Sequence, residues 1–93
     1  MIKVIIERKI ALGMEPNYDA AIKDTLRAIL EAPGYMSGAN YKDASDENHR
    51  VIITNWRSLA AWQKWQGSEE RRKVIASIQP ILISPEKITV LTA

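Results

Sequence analysis

Residues 54–72, TNWRSLAAWQKWQGSEERR, hold all three tryptophans of a 93-residue chain that contains no phenylalanine. An indole offers a flat, rigid apolar face that can stack on a flat ligand, and one ring buries about 150 to 250 Å². At about 25 cal/mol per Å² that is a gross gain of roughly 4 to 6 kcal/mol per ring. With Ser58 as an N-cap, Leu59, Trp62 and Trp65 recur every third residue and form one stripe of a helix, while Trp56 closes the strand before it. The rings therefore converge. They either fill the core between a short helix pair and a sheet or, beside the small Ala60 and Ala61, wall a cavity for a flat ligand.

The other cluster with chemical capacity is KDASDENHR, which gathers Asp43, Asp46, Glu47 and His49. These groups would attract a divalent cation, but they lack a recognised ligand spacing and a glycine to shape the loop, so a solvated hairpin turn is expected and no metal site. The chain has no cysteine, which removes disulfides, thiolate metal sites and cysteine nucleophiles and fits a cytoplasmic protein. Thirteen basic and eleven acidic residues leave a formal charge of +2, which announces neither a nucleic-acid nor a membrane partner. EERRK at 69–73 is mixed in sign and suits a solvated helix face better than a phosphate track. The opening MIKVIIERKI is interrupted by charge too early for a signal peptide or a membrane span.

The elements that position these residues follow from periodicity. Ile2, Val4 and Ile6 share one face of a strand over Ile2–Ile10, opposite Lys3, Glu7 and Lys9. Gly13 punctuates its end and Pro16 occupies a first helical turn, after which Tyr18, Ile22, Leu26, Ile29 and Leu30 follow helical spacing until Pro33 and Gly34. Two strands, about Tyr35–Lys42 and Arg50–Arg57, form a hairpin with a long polar turn. Ser58 and Gly67 bracket a short helix, Ser68 with Glu69 and Glu70 starts another that runs to about Ile78 before Pro80, and a last strand covers Glu86–Thr92.

The order β-α-β-β-α-α-β predicts a single domain over 1–93 with an α+β, ferredoxin-like βαββααβ sandwich: a four-stranded antiparallel sheet carrying helices on one face. Its other face would bear Ile5, either Val51 with Ile53 or Ile52 with Trp56, and Leu91 or Val90. That much aliphatic surface wants a cover, which predicts a homodimer whose two sheets pack face to face and supply the core one small chain lacks. A sheet of this kind can also bind RNA through rings on its central strands, but the first strand has no ring, so no nucleic-acid partner is expected.

The strand and helix order, the PGYMSG entry to the second strand, and WRSLAAWQKWQGSEER together resemble the antibiotic biosynthesis monooxygenase domain family. Trp56, Ser58, Trp65 and Ser68 fall in that family's order and spacing. The resemblance implies a dimeric α+β barrel with a pocket in each subunit between the helices and the sheet. It also implies a monooxygenase that oxidises quinol-like or anthrone-like molecules with dioxygen and no cofactor, neither metal nor flavin. Triplet dioxygen reacts poorly with closed-shell molecules, but an electron-rich phenolate or carbanion can pass it one electron, so the protein must supply a dry, shaped pocket and a proton acceptor.

The expected substrate-binding residues for a small aromatic ligand are Trp56, Trp62, Trp65, Asn40, Asn55 and Ile75; Asn40, Asn55, Tyr35 and Tyr41 lie on strands from which they could hydrogen-bond or move a proton. A second branch of the family degrades haem with a strand-one asparagine, a helix tryptophan and an iron-ligating histidine. Trp65 matches the tryptophan, but Ile75 stands at the histidine position and Glu7, or Ile6, at the asparagine position. Haem breakdown is therefore disfavoured. The alternative to an oxygenase is a non-catalytic or regulatory ligand-binding dimer, because one fold serves several chemistries.

Overall fold

In β1 (Ile2–Lys9) burial alternates strictly, with Ile2, Val4, Ile6 and Arg8 turned inward. The computed structural model describes residues 1–93, and after β1 come α1 (Glu15–Ile29), β2 (Tyr35–Asp43), β3 (Asp46–Trp56), α2 (Leu59–Gln66), α3 (Glu69–Ile75), a 3-10 turn at Gln79–Ile81 and β4 (Lys87–Thr92). The sheet is antiparallel throughout with the order β2-β3-β1-β4, and all three helices lie on one side, so the ferredoxin-like α+β sandwich is the observed fold.

Register decides which apolar residues face which way. Ile6 lies opposite Ile52 on one side and Ile88 on the other, and Val4 lies opposite Thr54 and Val90. Residues paired directly across an antiparallel ladder share a face. Ile52, Thr54 and Trp56 therefore go under the helices, whereas Ile5, Val51, Ile53 and Leu91 take the open face.

Two expected boundaries shift. The hairpin turn is short, with β2 running to Asp43 and β3 beginning at Asp46. The polar residues 46–49 join the strand because their side chains are bonded across it: Lys9 Nζ to Asp46 at 3.1 Å, His49 Nδ1 to Asp43 at 2.9 Å, and Asn48 Nδ2 to the Ile10 carbonyl at 3.0 Å. Asp43 also accepts from the Ser45 backbone N–H at 2.9 Å, which tightens the turn without glycine. The other shift is in α3, which ends at Ile75 rather than Ile78, and Pro80 sits in the separate 3-10 turn.

Both helix starts with serine form as their sequences dictate: Ser58 Oγ accepts from the Ala61 N–H and Ser68 Oγ from the Arg71 N–H. Gly34, which leads from α1 into β2, has φ +87°, a conformation that favours glycine. It also lies against α2, so closely that a Cβ there would stand 2.5 Å from that of Ala61.

The core runs between the sheet and the helices. Trp56 is fully buried and Trp62 is 2% exposed, and their rings meet edge to face at 5.7 Å, with Tyr35 edge-on to Trp56 at 5.4 Å. Trp56 Nε1 is satisfied by donating to Thr54 Oγ1 at 2.9 Å. No helix is long and apolar enough to cross a membrane.

Candidate functional site

A cavity of about 240 Å³ opens where the C-terminal end of α1 passes α2 and the start of α3. Its apolar lining is Ala28, Ala32 and Pro33 from the α1 end, Ala61 from α2, and the Trp65 indole. Short side chains make the space: alanines on two neighbouring helices leave a gap that one large ring only partly fills. Trp65 is 6% exposed, so it is both a wall of the cavity and a member of the core.

The polar lining is Glu31, Lys64, Ser68 and Glu70. Ser68 is already committed, since its hydroxyl donates to the Trp65 carbonyl at 2.7 Å while accepting from the Arg71 N–H at 3.1 Å. Glu31, Lys64 and Glu70 are exposed at the rim. The arginines near the two glutamates in sequence are paired elsewhere: Arg27 with Asp24, Arg71 with Glu86 and Arg72 with Glu69. The rim thus offers two acceptor carboxylates and one ammonium donor.

Of the six residues expected to bind substrate, Trp65 alone lines this cavity. Trp56 and Trp62 fill the space directly over the sheet, which is why the cavity opens between helices and no strand residue lines it. Ile75 is buried in the core at 5% exposure. Asn40 and Asn55 lie on opposite faces of the sheet: Asn40 pairs with Ile52, is exposed, and stands on the helix side of edge strand β2, while Asn55 is on the open face and donates to Ser37 Oγ at 3.0 Å.

Tyr41 is 53% exposed on the open face. Tyr35 is half-buried on the helix side of β2, and burial raises the pKa of its phenol, which keeps it a donor at neutral pH. Its hydroxyl lies over Gly38, where a Cβ would stand 2.5 Å away. The cavity residues that the sequence reading did not select are Ala28, Ala32 and Pro33, together with Glu31, Lys64 and Glu70. Ala28 lies in the last turn of α1 and Ala32 just beyond its end, and neither carries a periodic signal in the sequence.

The acidic turn does not assemble a common coordination sphere. His49 directs Nδ1 to Asp43 and Nε2 to Glu7, at 2.9 and 3.4 Å, so the two carboxylates address opposite ring nitrogens. The hydrogen bond from His49, followed by those from Ser45, holds the Asp43 carboxyl well below the usual carboxylate range. The residues also do not fit haem. Ile75 and Ile6 are buried hydrocarbon, Glu7 points from the open face, and the one histidine is on that same open face, across the sheet from the cavity.

The βαββααβ order with its four-stranded antiparallel sheet places the chain among the ferredoxin-like α+β proteins. The family model described as antibiotic biosynthesis monooxygenase matches residues 1–77, and the chain belongs to that family. No curated protein matches it. Among solved structures, one antibiotic biosynthesis monooxygenase is similar with a TM-score of 0.91 at 18% identity, over 100% of this chain and 98% of that one. Rv0793 from Mycobacterium tuberculosis gives 0.88 at 21% identity, over 99% and 93%. A point mutant of SnoaB, a cofactor-independent oxygenase from Streptomyces nogalater, gives 0.88 at 12% identity, over 99% and 91%. Likeness at these identities is likeness of fold.

Proposed function

We propose that the chain is a cytoplasmic homodimer that acts as a cofactor-independent monooxygenase on a small aromatic, quinol-like substrate held in the cavity that Trp65 walls. The observation that carries this reading is that cavity, lined by a rigid indole and three alanines in a member of a family described as monooxygenases. Such a slot holds a flat ring dry and leaves its edge at a rim of acceptors. The chemistry needs little more from the protein. Loss of a phenolic proton makes the ring electron-rich enough to pass an electron to dioxygen. A ring C–H then becomes C=O, one oxygen atom is retained and the other leaves as water, all four electrons coming from the substrate.

The dimer reading is supported by the open sheet face. Ile5, Val51 and Ile53 form its centre, flanked by Leu91 at 44% and Tyr41 at 53% exposure on the two outer strands. An apolar stripe crossing four strands fits a second copy of the same stripe. The absence of cysteine supports the assignment to a reducing compartment.

A second reading, a ligand-binding dimer without turnover, is favoured by one fact: none of Asn40, Asn55, Tyr35 and Tyr41 lines the cavity, so no strand group stands ready there to take a proton. Oxygen uptake separates the two. Incubation with one- and two-ring quinols should consume oxygen well above the buffer rate. Uptake equal to buffer, with tryptophan fluorescence still quenched by the quinol, selects binding alone. Light scattering at micromolar concentration should give twice the monomer mass, and a monomer overturns the dimer.

A further inference from the structure

We infer that the cavity selects a one- or two-ring aromatic that donates hydrogen bonds and carries no negative charge, and that Glu31 and Glu70 are the groups that set this preference. The inference rests on the reading of the cavity as the ligand site and does not depend on turnover.

Size supplies the first half. The cavity measures about 240 Å³. A cavity of about 150 Å³ accommodates benzene, and pockets for drug-sized ligands begin at about 300 Å³. Two fused rings fall between those limits, and three would have to push the walls apart. The turn from α1 into β2 braces the wall beside α2. The Gly34 carbonyl accepts from the Arg57 N–H at 2.8 Å, Gly34 lies in van der Waals contact with Ala61, and Pro33 adds a fixed φ just before it.

Charge supplies the second half. The free polar groups at the rim are two carboxylates, Glu31 and Glu70, and one ammonium, Lys64, while the Ser68 hydroxyl is used by the backbone. Two negative charges less one positive leave the rim at −1. A phenol or aromatic amine can donate to these acceptors, whereas an aryl carboxylate meets a like charge and gains only Lys64. At an exposed rim, with water and salt between the charges, this discriminates by a factor on the order of three to ten.

Calorimetric titration of the intact protein under nitrogen near neutral pH tests both halves with three redox-quiet probes: naphthol, naphthoate and hydroxyanthracene. Naphthol should bind, naphthoate at least about threefold more weakly, and hydroxyanthracene at least about tenfold more weakly. In the Glu31→Gln/Glu70→Gln double variant, whose changes are at exposed positions, the naphthoate disadvantage should disappear while naphthol still binds. The inference is overturned if hydroxyanthracene binds as well as naphthol, if naphthoate equals naphthol in the parent, if the double variant keeps the parent ratio, or if none of the probes binds. Because dioxygen is absent, this selectivity can hold while oxygen uptake fails, which sinks the oxygenase reading alone. Uptake with inverted selectivity sinks only the inference.

Discussion

The two ends of the helix layer solve the same packing problem in opposite ways. Near the N-terminal end of α1, large charged side chains fill the space: Arg8 and Arg50, paired across β1 and β3 and only 2% and 3% exposed, flank the Tyr18 ring with guanidinium carbons 6.0 and 5.4 Å from its centroid. Arg8 donates to Glu86 and to the Tyr18 hydroxyl, at 3.0 and 3.1 Å, and Arg71 reaches the other oxygen of Glu86 at 2.8 Å. Near the C-terminal end of α1, alanines meet alanines and space remains. A buried guanidinium needs fixed partners in fixed positions, so the first end is locked. The second end carries no such demand, and it is there that the proposed ligand would enter without breaking the fold.

The contrast predicts the largest effect at Glu86. Glu86→Gln leaves Arg8 and Arg71 without their shared carboxylate, and since the Glu86 side chain keeps 18% exposure the cost should be about 2 to 3 kcal/mol. For a domain of this size that lowers the melting point by roughly 10 to 20 °C, and a fall of only a degree or two in a calorimetric scan would show that the end is not locked. The same carboxyl sets a pH dependence. Burial pushes its pKa up, but the hydrogen bond from Arg71 and the charges of Arg8 and Arg71 outweigh it, so the net shift is below 4.5. A lowered folded-state value contributes stability that is present above 4.5 and is lost as pH falls through the folded value. Urea midpoints should therefore drop below pH 4.5 in the parent, and this part of the drop should be missing in Glu86→Gln.

What could be read from the chain beforehand differs between the two ends for physical reasons. Strand alternation exposed the fold, but the choice between Val51 with Ile53 and Ile52 with Trp56 stayed open because both sets are apolar; only the pairing of Ile6 with Ile52 settles it. Residues 46–49 looked like loop because Asp, Glu and Asn have poor strand propensity, and the bonds that hold them in β3 reach partners 6 to 38 residues away. Trp65 announced itself by size. Ala28 and Ala32 did not, because a small side chain acquires meaning only from what stands opposite it, here a helix some thirty residues further along the chain.

An intermediate effect is expected at the wall of the open end. Gly34→Ala places a Cβ 2.5 Å from that of Ala61 and forces alanine to φ +87°, which together should cost about 2 kcal/mol. The two causes separate. Adding Ala61→Gly removes the clash but not the backbone strain, so with it in place Gly34→Ala should cost only part of that loss in chemical denaturation. Because Ala61→Gly alone costs about 1 kcal/mol as a helix glycine, the loss from Gly34→Ala is read in that background: no loss there would mean that the conformation at 34 costs nothing, and an undiminished loss that the turn does not press on α2.

The smallest change in stability, and the one that bears most on function, is expected at Trp65. This ring belongs to both regimes: it is 6% exposed, as a core residue should be, yet one of its faces borders empty space. Trp65→Phe removes area from a side that is already incompletely packed, so the fold should lose about 1 kcal/mol, well short of the 3 to 5 kcal/mol of a tryptophan deleted from a filled core. Naphthol affinity should fall by about tenfold, since stacking area is lost where the ligand lies. Trp62→Phe is the control, because Trp62 packs against Trp56 and does not line the cavity. It should cost more stability and leave the bound fraction of ligand unchanged at temperatures where the variant is folded. If the two variants behave alike, with stability falling steeply and binding untouched in both, then the indole at 65 is ordinary core and the difference between the two ends of the helix layer has no bearing on what the protein binds.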